Sequence, residues 1–182
     1  ALLDLETAGT IVVAAAGNDG RDLKITPVFP CMNATVVCVG ASDMEDKLAS
    51  FSNFGPSFGP LGQAGVAITA PGVDILSTIP GGYGFKSGTS MATPIVSAAM
   101  ASTWRLFPTA AHGEIRNRVL QTADRVASIS FDKIEEGRRL NLYQAFFSKA
   151  PRREYASDGY CNELVYDATN NQQYRRYTNS PF

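Results

Sequence analysis

The sequence predicts an α/β fold, a mostly parallel sheet with helices on both faces. Two observations carry this expectation. The runs Ile11–Ala16 and Thr35–Gly40 are nearly continuous in apolar residues, the mark of strands covered on both sides. Segments with helical features, above all Ser90–Phe107, alternate with such runs. Sheets of this kind place functional groups at the C-terminal ends of strands, beside helix N-termini.

Taken in order, Leu2, Leu3 and Leu5 followed by Thr7-Ala8-Gly9 read as the end of a helix, with Gly9 as its stop. Ile11–Ala16 reads as a central strand that ends in the loop Gly17-Asn18-Asp19-Gly20. Thr35–Gly40 is a second strand of the same kind, and Phe51–Gly65 is a loop region rich in Gly, Pro and Ser. Val66–Ala70 and Asp74–Ile79 read as short strands, stopped by Pro71-Gly72 and by Pro80-Gly81-Gly82. Ser90–Phe107 reads as a helix with small or apolar residues over much of its surface, a pattern expected of a helix buried in mid-domain. Pro94 is tolerated only near a helix start, which places Ser90 at or just before the N-terminus. Ala111, Ile115 and Val119 mark an amphipathic helix whose cap is expected near Pro108-Thr109. Gly137–Asn141 leads into a last short helix, Leu142–Phe147, and from Pro151 onward Asn, Gln, Arg and Tyr dominate.

The chain has 182 residues, 45% hydrophobic and 18% charged, an ordinary composition for a soluble globular protein. A net charge of −1 gives no electrostatic case for nucleic acid or an anionic membrane surface. No stretch approaches the roughly 18–20 apolar residues that cross a bilayer, so no membrane span is expected. The opening Ala1-Leu2-Leu3-Asp4 has neither a basic nor an apolar leader, and no targeting segment is expected within the chain. The three cysteines, Cys31, Cys38 and Cys161, cannot all pair with one another, so one is free or its partner lies outside the chain. Asn33-Ala34-Thr35 is a glycosylation sequon, of a length that chance also supplies.

The segment richest in chemistry is Gly88-Thr89-Ser90-Met91-Ala92-Thr93-Pro94. A serine at a helix start sits among unsatisfied backbone N–H groups, where the helix dipole favours developing negative charge. Gly88 allows close backbone approach, and small neighbours leave the hydroxyl open, as an acyl-transfer nucleophile requires. The same placement also serves an ordinary serine N-cap.

The full string closely resembles the nucleophile signature of subtilisin-like serine proteases. Four further segments are similar to that family in the family's order: Val13–Asn18, Ala49–Pro56, Ala70–Ile75 and Gly137–Asn141. Together they cover roughly residues 1–148. The resemblance implies a partial subtilisin-like three-layer fold: residues 1–150 would be the C-terminal portion of a peptidase catalytic domain and residues 151–182 a polar C-terminal extension. It implies Ser90 as nucleophile, with Asn18 donating its side-chain N–H to the oxyanion beside the Ser90 backbone N–H. Ala15, Ala16, Gly17, Gly88 and Thr89 would bind substrate, with Ala15–Gly17 walling the pocket for the residue before the scissile bond. Close packing of a central strand explains the alanine run equally well. It also implies a cis Phe29-Pro30 bond, a peptide or protein substrate, and a secreted or secretory/vacuolar location.

A serine triad needs a base and a group that orients it. The only histidine, His112, lies beyond the far end of the helix that starts near Ser90, so it is not expected to serve as that base. In the family the triad Asp and His precede the segment matching Ile11–Asn18. The expectation is a separated part of a larger catalytic domain, inactive alone and unstable or prone to aggregate, whose partner is the remaining N-terminal part. Ile95 replaces a histidine common in the family, Phe58–Gly65 looks like an insertion beside a cation-binding loop, and Ala67 stands where some members carry a carboxylate. No cofactor or metal is therefore assigned here, although calcium is possible in the full-length protein. The alternative class is a non-catalytic processed fragment or pseudoprotease that binds a partner chain. An α/β-hydrolase elbow fails at Ala92, and Pro80–Gly84 lacks the Gly-Lys-Ser/Thr ending of a phosphate loop.

Overall fold

The computed structural model describes residues 1–55 and 65–148, and the backbone of strands within 153–155, 161–167 and 172–178. The chain forms two compact units, Ala1–Phe147 and Ser148–Phe182. The expected insertion Phe58–Gly65 falls, apart from Gly65, outside the described residues.

In the first unit α1 (Leu2–Thr7) precedes β1 (Val12–Ala15), β2 (Val36–Ser42), β3 (Val66–Pro71), β4 (Ile75–Ile79) and β5 (Gly82–Lys86). Then come α2 (Thr89–Leu106), α3 (His112–Gln121), β6 (Asp124–Arg125), β7 (Arg138–Arg139) and α4 (Leu142–Phe147). The main sheet runs β1-β2-β3-β7-β6. Its first four strands are parallel, and β6 is antiparallel to β7. This is the mostly parallel α/β sheet that the sequence predicts.

Strand alternation divides the core. Val37, Val39 and Ala41 of β2 and Ile68 and Ala70 of β3 share a cluster with Ala92, Val96 and Met100 of α2 and Ile115 and Val119 of α3. Cys38 and Val66 belong to a second cluster, with Leu23, Cys31, Ile129 and Ile134. β2 is buried along its whole length because strands flank it on both sides and both faces are covered.

Several expectations need correction. β1 is half-buried rather than central, because among the described residues it pairs only with β2 and stands at the sheet edge. α2 is buried along one stripe only, through Thr89, Ala92, Val96, Ala99, Met100 and Thr103, whereas Pro94, Ala98 and Ala101 are exposed. Pro94 is the sixth helical residue, beyond the first turn, and its missing N–H leaves the Ser90 carbonyl without its i+4 donor. α3 starts at His112, and Glu114 Oε2 accepts the Ala111 N–H at 2.8 Å, so the cap is not at Thr109. The segment after Ile79 is a strand: β5 pairs antiparallel with β4 in a ribbon whose Leu76, Tyr83 and Phe85 are exposed.

The two-residue strands β6 and β7 complete the sheet. Arg139 pairs with Asp124 at 2.6 Å and also with Asp46, and these two bonds raise its pKa. Cys31 and Cys38 form a disulfide, and the Phe29–Pro30 bond is cis.

In the second unit, β8 (Arg153–Tyr155), β9 (Cys161–Asp167) and β10 (Gln172–Thr178) form an antiparallel sheet in the order β10-β9-β8. Sequence composition marks this stretch as a polar C-terminal extension without indicating strands. A polar segment can still pair through its backbone, which composition does not report.

Ile68 is fully buried between the sheet and α2, so Ile68→Ala is expected to cost about 2–5 kcal/mol. Leu76→Ala, on the exposed ribbon, is expected to stay within about 0.5 kcal/mol. Urea unfolding midpoints at unchanged slope check both, and equal effects would refute this division of the core.

Candidate active site

The site is built where the loop after β1 meets the first turn of α2. Parallel pairing brings the C-terminal ends of β1, β2 and β3 to one edge. Gly72, just past β3, donates its N–H to Ser42 O and accepts the Gly88 N–H at 2.7 Å. A Cβ on Gly72 would lie 2.6 Å from Ala41 Cβ and 2.9 Å from Gly88 O, so only glycine allows this approach. The start of α2 is thereby set against the sheet.

Asn18 closes the junction from the other side. Its Oδ1 accepts the Thr89 N–H at 2.8 Å and the Thr89 hydroxyl at 2.9 Å. Thr89 Oγ1 in turn accepts the Gly17 N–H at 3.2 Å. Asn18 thus caps α2 from a distant loop, satisfying one of the N–H groups that a helix start leaves open. With its oxygen occupied, Asn18 has only Nδ2 to offer elsewhere, and Nδ2 has no hydrogen-bond partner among the described residues. A Cβ at position 88 would stand 3.4 Å from that nitrogen. Ser90, the second residue of α2, is exposed, and its N–H also makes no bond among the described residues.

The other sequence-derived residues fall around this junction. Thr89 is fully buried, so its hydroxyl serves the Asn18 bridge. Ala16 is fully buried in the second core cluster, while Ala15 and Gly17 are half-buried and Gly88 is buried. His112 lies beyond the opposite end of α2, whose 18 residues span about 27 Å at about 1.5 Å per residue. It lines a cavity of about 210 Å³ with Glu6, Thr10, Thr35, Arg116 and Asn117. Burial lowers the Arg116 pKa there, against the opposing pull of Glu6 and Glu135. Among the described residues no cluster of three His, Cys, Asp or Glu side chains could hold a metal ion, and no helix is long and apolar enough to cross a membrane.

One contributor was given no role from sequence. Asn53 is fully buried, and its Nδ2 donates to Ala16 O at 2.9 Å. Its Oδ1 accepts the N–H groups of Asp19 at 3.1 Å and Arg21 at 2.9 Å. The Asn53 N–H donates to Gly17 O at 2.9 Å, so one residue fixes the loop on both sides of Asn18. The segment Ala49–Pro56 was the available signal, but its resemblance assigned no task to this side chain.

The Peptidase_S8 (subtilase family) model matches residues 2–160. The chain is 45% identical over 123 residues to the thermophilic serine proteinase of Bacillus sp. (strain AK1), covering 65% of this chain and 27% of that protein. It is 40% identical over 121 residues to subtilisin Savinase of Lederbergia lenta, covering 66% and 41% respectively. Among solved structures, the prenylagaramide maturation protease PagA aligns with a TM-score of 0.65 at 28% identity, over 80% of this chain and 52% of that one. The subtilase cytotoxin SubAB structure aligns with a TM-score of 0.66 at 28% identity, over 80% and 51%. The chain belongs to the subtilase family. It spans well under half the length of these two curated relatives and about half of each of the two solved chains.

Asn53→Ala is expected to speed amide hydrogen exchange at Asp19 and Arg21 while leaving β2 protected, and to cost about 1–3 kcal/mol. Unchanged exchange at both amides would refute its positioning role.

Proposed function

We propose that this chain supplies the nucleophile and the oxyanion site of a serine endopeptidase whose remaining triad members lie in another part of the parent protein. Ser90 Oγ attacks the scissile carbonyl, and a base from outside this chain takes its proton and returns it to the leaving amine. The acyl-enzyme that results is released by water. Asn18 Nδ2–H and the Ser90 N–H donate to the oxyanion at the positive end of the α2 dipole. The observation that carries this reading is the occupied Oδ1 of Asn18, which leaves only Nδ2 to donate beside the exposed residue 90.

Ala15, Gly17 and the Gly88 backbone bind peptide or protein substrate. Ala16 contributes as the buried floor of that wall, and Thr89 acts through Asn18. No cofactor enters the chemistry, although calcium elsewhere in the intact protein is compatible with it. The N-terminal part of the catalytic domain pairs with the open edge of β1, where backbone groups lack a strand partner among the described residues. Residues 1–150 constitute the catalytic portion and 151–182 an extension. The protein enters a secretory route, a reading supported by the Cys31–Cys38 disulfide.

The isolated chain should hydrolyse no peptide and take up no fluorophosphonate label at Ser90, because His112 is far from the hydroxyl. Mass mapping of the labelled chain checks this, and robust turnover abolished by Ser90→Ala would refute it. In the intact parent, Ser90→Ala should abolish activity, and Asn18→Ala should lower kcat about 10²–10³-fold with a smaller change in KM. That magnitude is the one measured for the corresponding donor in a subtilisin. A parent that stays fully active without the residue 90 hydroxyl would favour the alternative, a non-catalytic fragment or pseudoprotease that binds a partner chain.

A further inference from the structure

We propose that Asn33 is a site of N-glycosylation, at the end of the sheet remote from Ser90. The sequon Asn33-Ala34-Thr35 supplies the acceptor pattern, and it is the chain's single Asn-x-Ser/Thr triplet without proline at the middle position. The structure adds three facts.

The first concerns the carboxamide. Asn33 Oδ1 accepts both the Thr35 N–H at 3.0 Å and the Thr35 hydroxyl at 2.8 Å. The side-chain oxygen is therefore held by the sequon's own threonine, and Nδ2 makes no hydrogen bond among the described residues. Among the described residues, the buried side-chain polar atoms without a partner are Ser42 Oγ, Thr103 Oγ1 and Arg139 Nε. Asn33 Nδ2, also without a partner there, is not one of them, so this half-buried residue keeps some of that nitrogen's surface in contact with solvent.

The second concerns the backbone. Asn33 N–H donates to Pro30 O at 2.9 Å, and Asn33 O accepts the Val36 N–H at 3.0 Å. Arg116 donates to Ala34 O at 3.1 Å. The turn is satisfied without the amide nitrogen, so substituting that nitrogen breaks no bond seen in the fold. Cys31 and Met32 are buried, whereas Asn33 and Thr35 are half-buried and Ala34 is exposed, so the sequon lies at the surface.

The third is the setting. Asn33 lies between Cys31 and Cys38, which are disulfide-bonded, and the oxidising compartments that close such bonds include the one in which this transfer takes place. Asn33 precedes the N-terminal end of β2, whereas Asn18 follows the C-terminal end of the parallel strand β1. A glycan there leaves the catalytic edge clear.

The donor is a lipid-pyrophosphate-linked oligosaccharide. The bond between its anomeric carbon and the pyrophosphate oxygen breaks, a bond from that carbon to Nδ2 forms, and the lipid pyrophosphate leaves with the electron pair. Nδ2 gives up one proton to the transferase, and no oxidation occurs.

The proposal rests on the secretory routing given above. It is tested by translating the 182-residue chain behind a cleavable signal sequence in the presence of microsomes that carry the transferase. Only the pool protected from added protease is read. That pool should gain a single mass increment removed by an endoglycosidase, localised to the peptide carrying Asn33. Asn33→Gln and Thr35→Ala should abolish the increment, and Thr35→Ser should keep it. A protected pool without endoglycosidase-sensitive mass would overturn the proposal, as would an increment that survives Asn33→Gln. The signal sequence imposes translocation and peptide mapping needs no native fold, so either failure leaves the peptidase reading of Ser90 to its own test.

Discussion

The bridge from Asn18 Oδ1 to Thr89 makes one structure of a loop and a helix that are 71 residues apart in sequence. One oxygen does three things at once. It caps the first N–H of α2, it holds the Thr89 hydroxyl towards Gly17, and by being used it fixes which way the amide nitrogen points. Buried polar groups need partners, so a buried threonine in the first helical turn is stable only where something answers its hydroxyl. Asn53 holds the loop from beneath, and Gly72 brings the helix start within reach of the sheet. Precision at this junction comes from satisfied hydrogen bonds and close backbone approach, not from large apolar contacts.

The two ends of the sheet differ in character. At the C-terminal end of the parallel strands, the Ser90 N–H and the Asn18 amide nitrogen have no partner among the described residues, which suits a developing negative charge. At the other end, Arg116 is half-buried among Glu6, Thr35 and His112, and its guanidinium also holds the carbonyl of Ala34. Further across the sheet, Arg139 gathers carboxylates from the turn after β2 and from β6. These ion pairs secure sequence-distant segments, with the charges only partly desolvated.

Much of this was legible in the sequence where a local pattern has a local cause. The continuous apolar run of β2, the breakers after β3 and the small residues around Ser90 each impose a conformation directly. What was not legible depends on partners. The apolar run at β1 looks the same whether one or two strands flank it, so its edge position was invisible. The exposed side of α2 is hidden for the same reason, because the residue pattern reports what a surface could bury, not what covers it. Strands of two residues, such as β6 and β7, are too short to show any periodicity. Gly82–Lys86 carries the glycines of a turn, yet pairs residue for residue with Ile75–Ile79. Asn53 acts through backbone groups more than 30 positions away, and no spacing rule points to it.

The Cys31–Cys38 link closes a ring across a separation of only seven residues, tying the segment before β2 to the third residue of that fully buried strand. Closing so short a loop in the unfolded chain removes entropy worth on the order of 2–3 kcal/mol, a sizeable share of what holds an ordinary domain folded. The thermodynamic margin of the fold is therefore set partly by the surrounding thiol–disulfide balance. The same polypeptide would be measurably softer in a reducing cytosol than in an oxidising lumen.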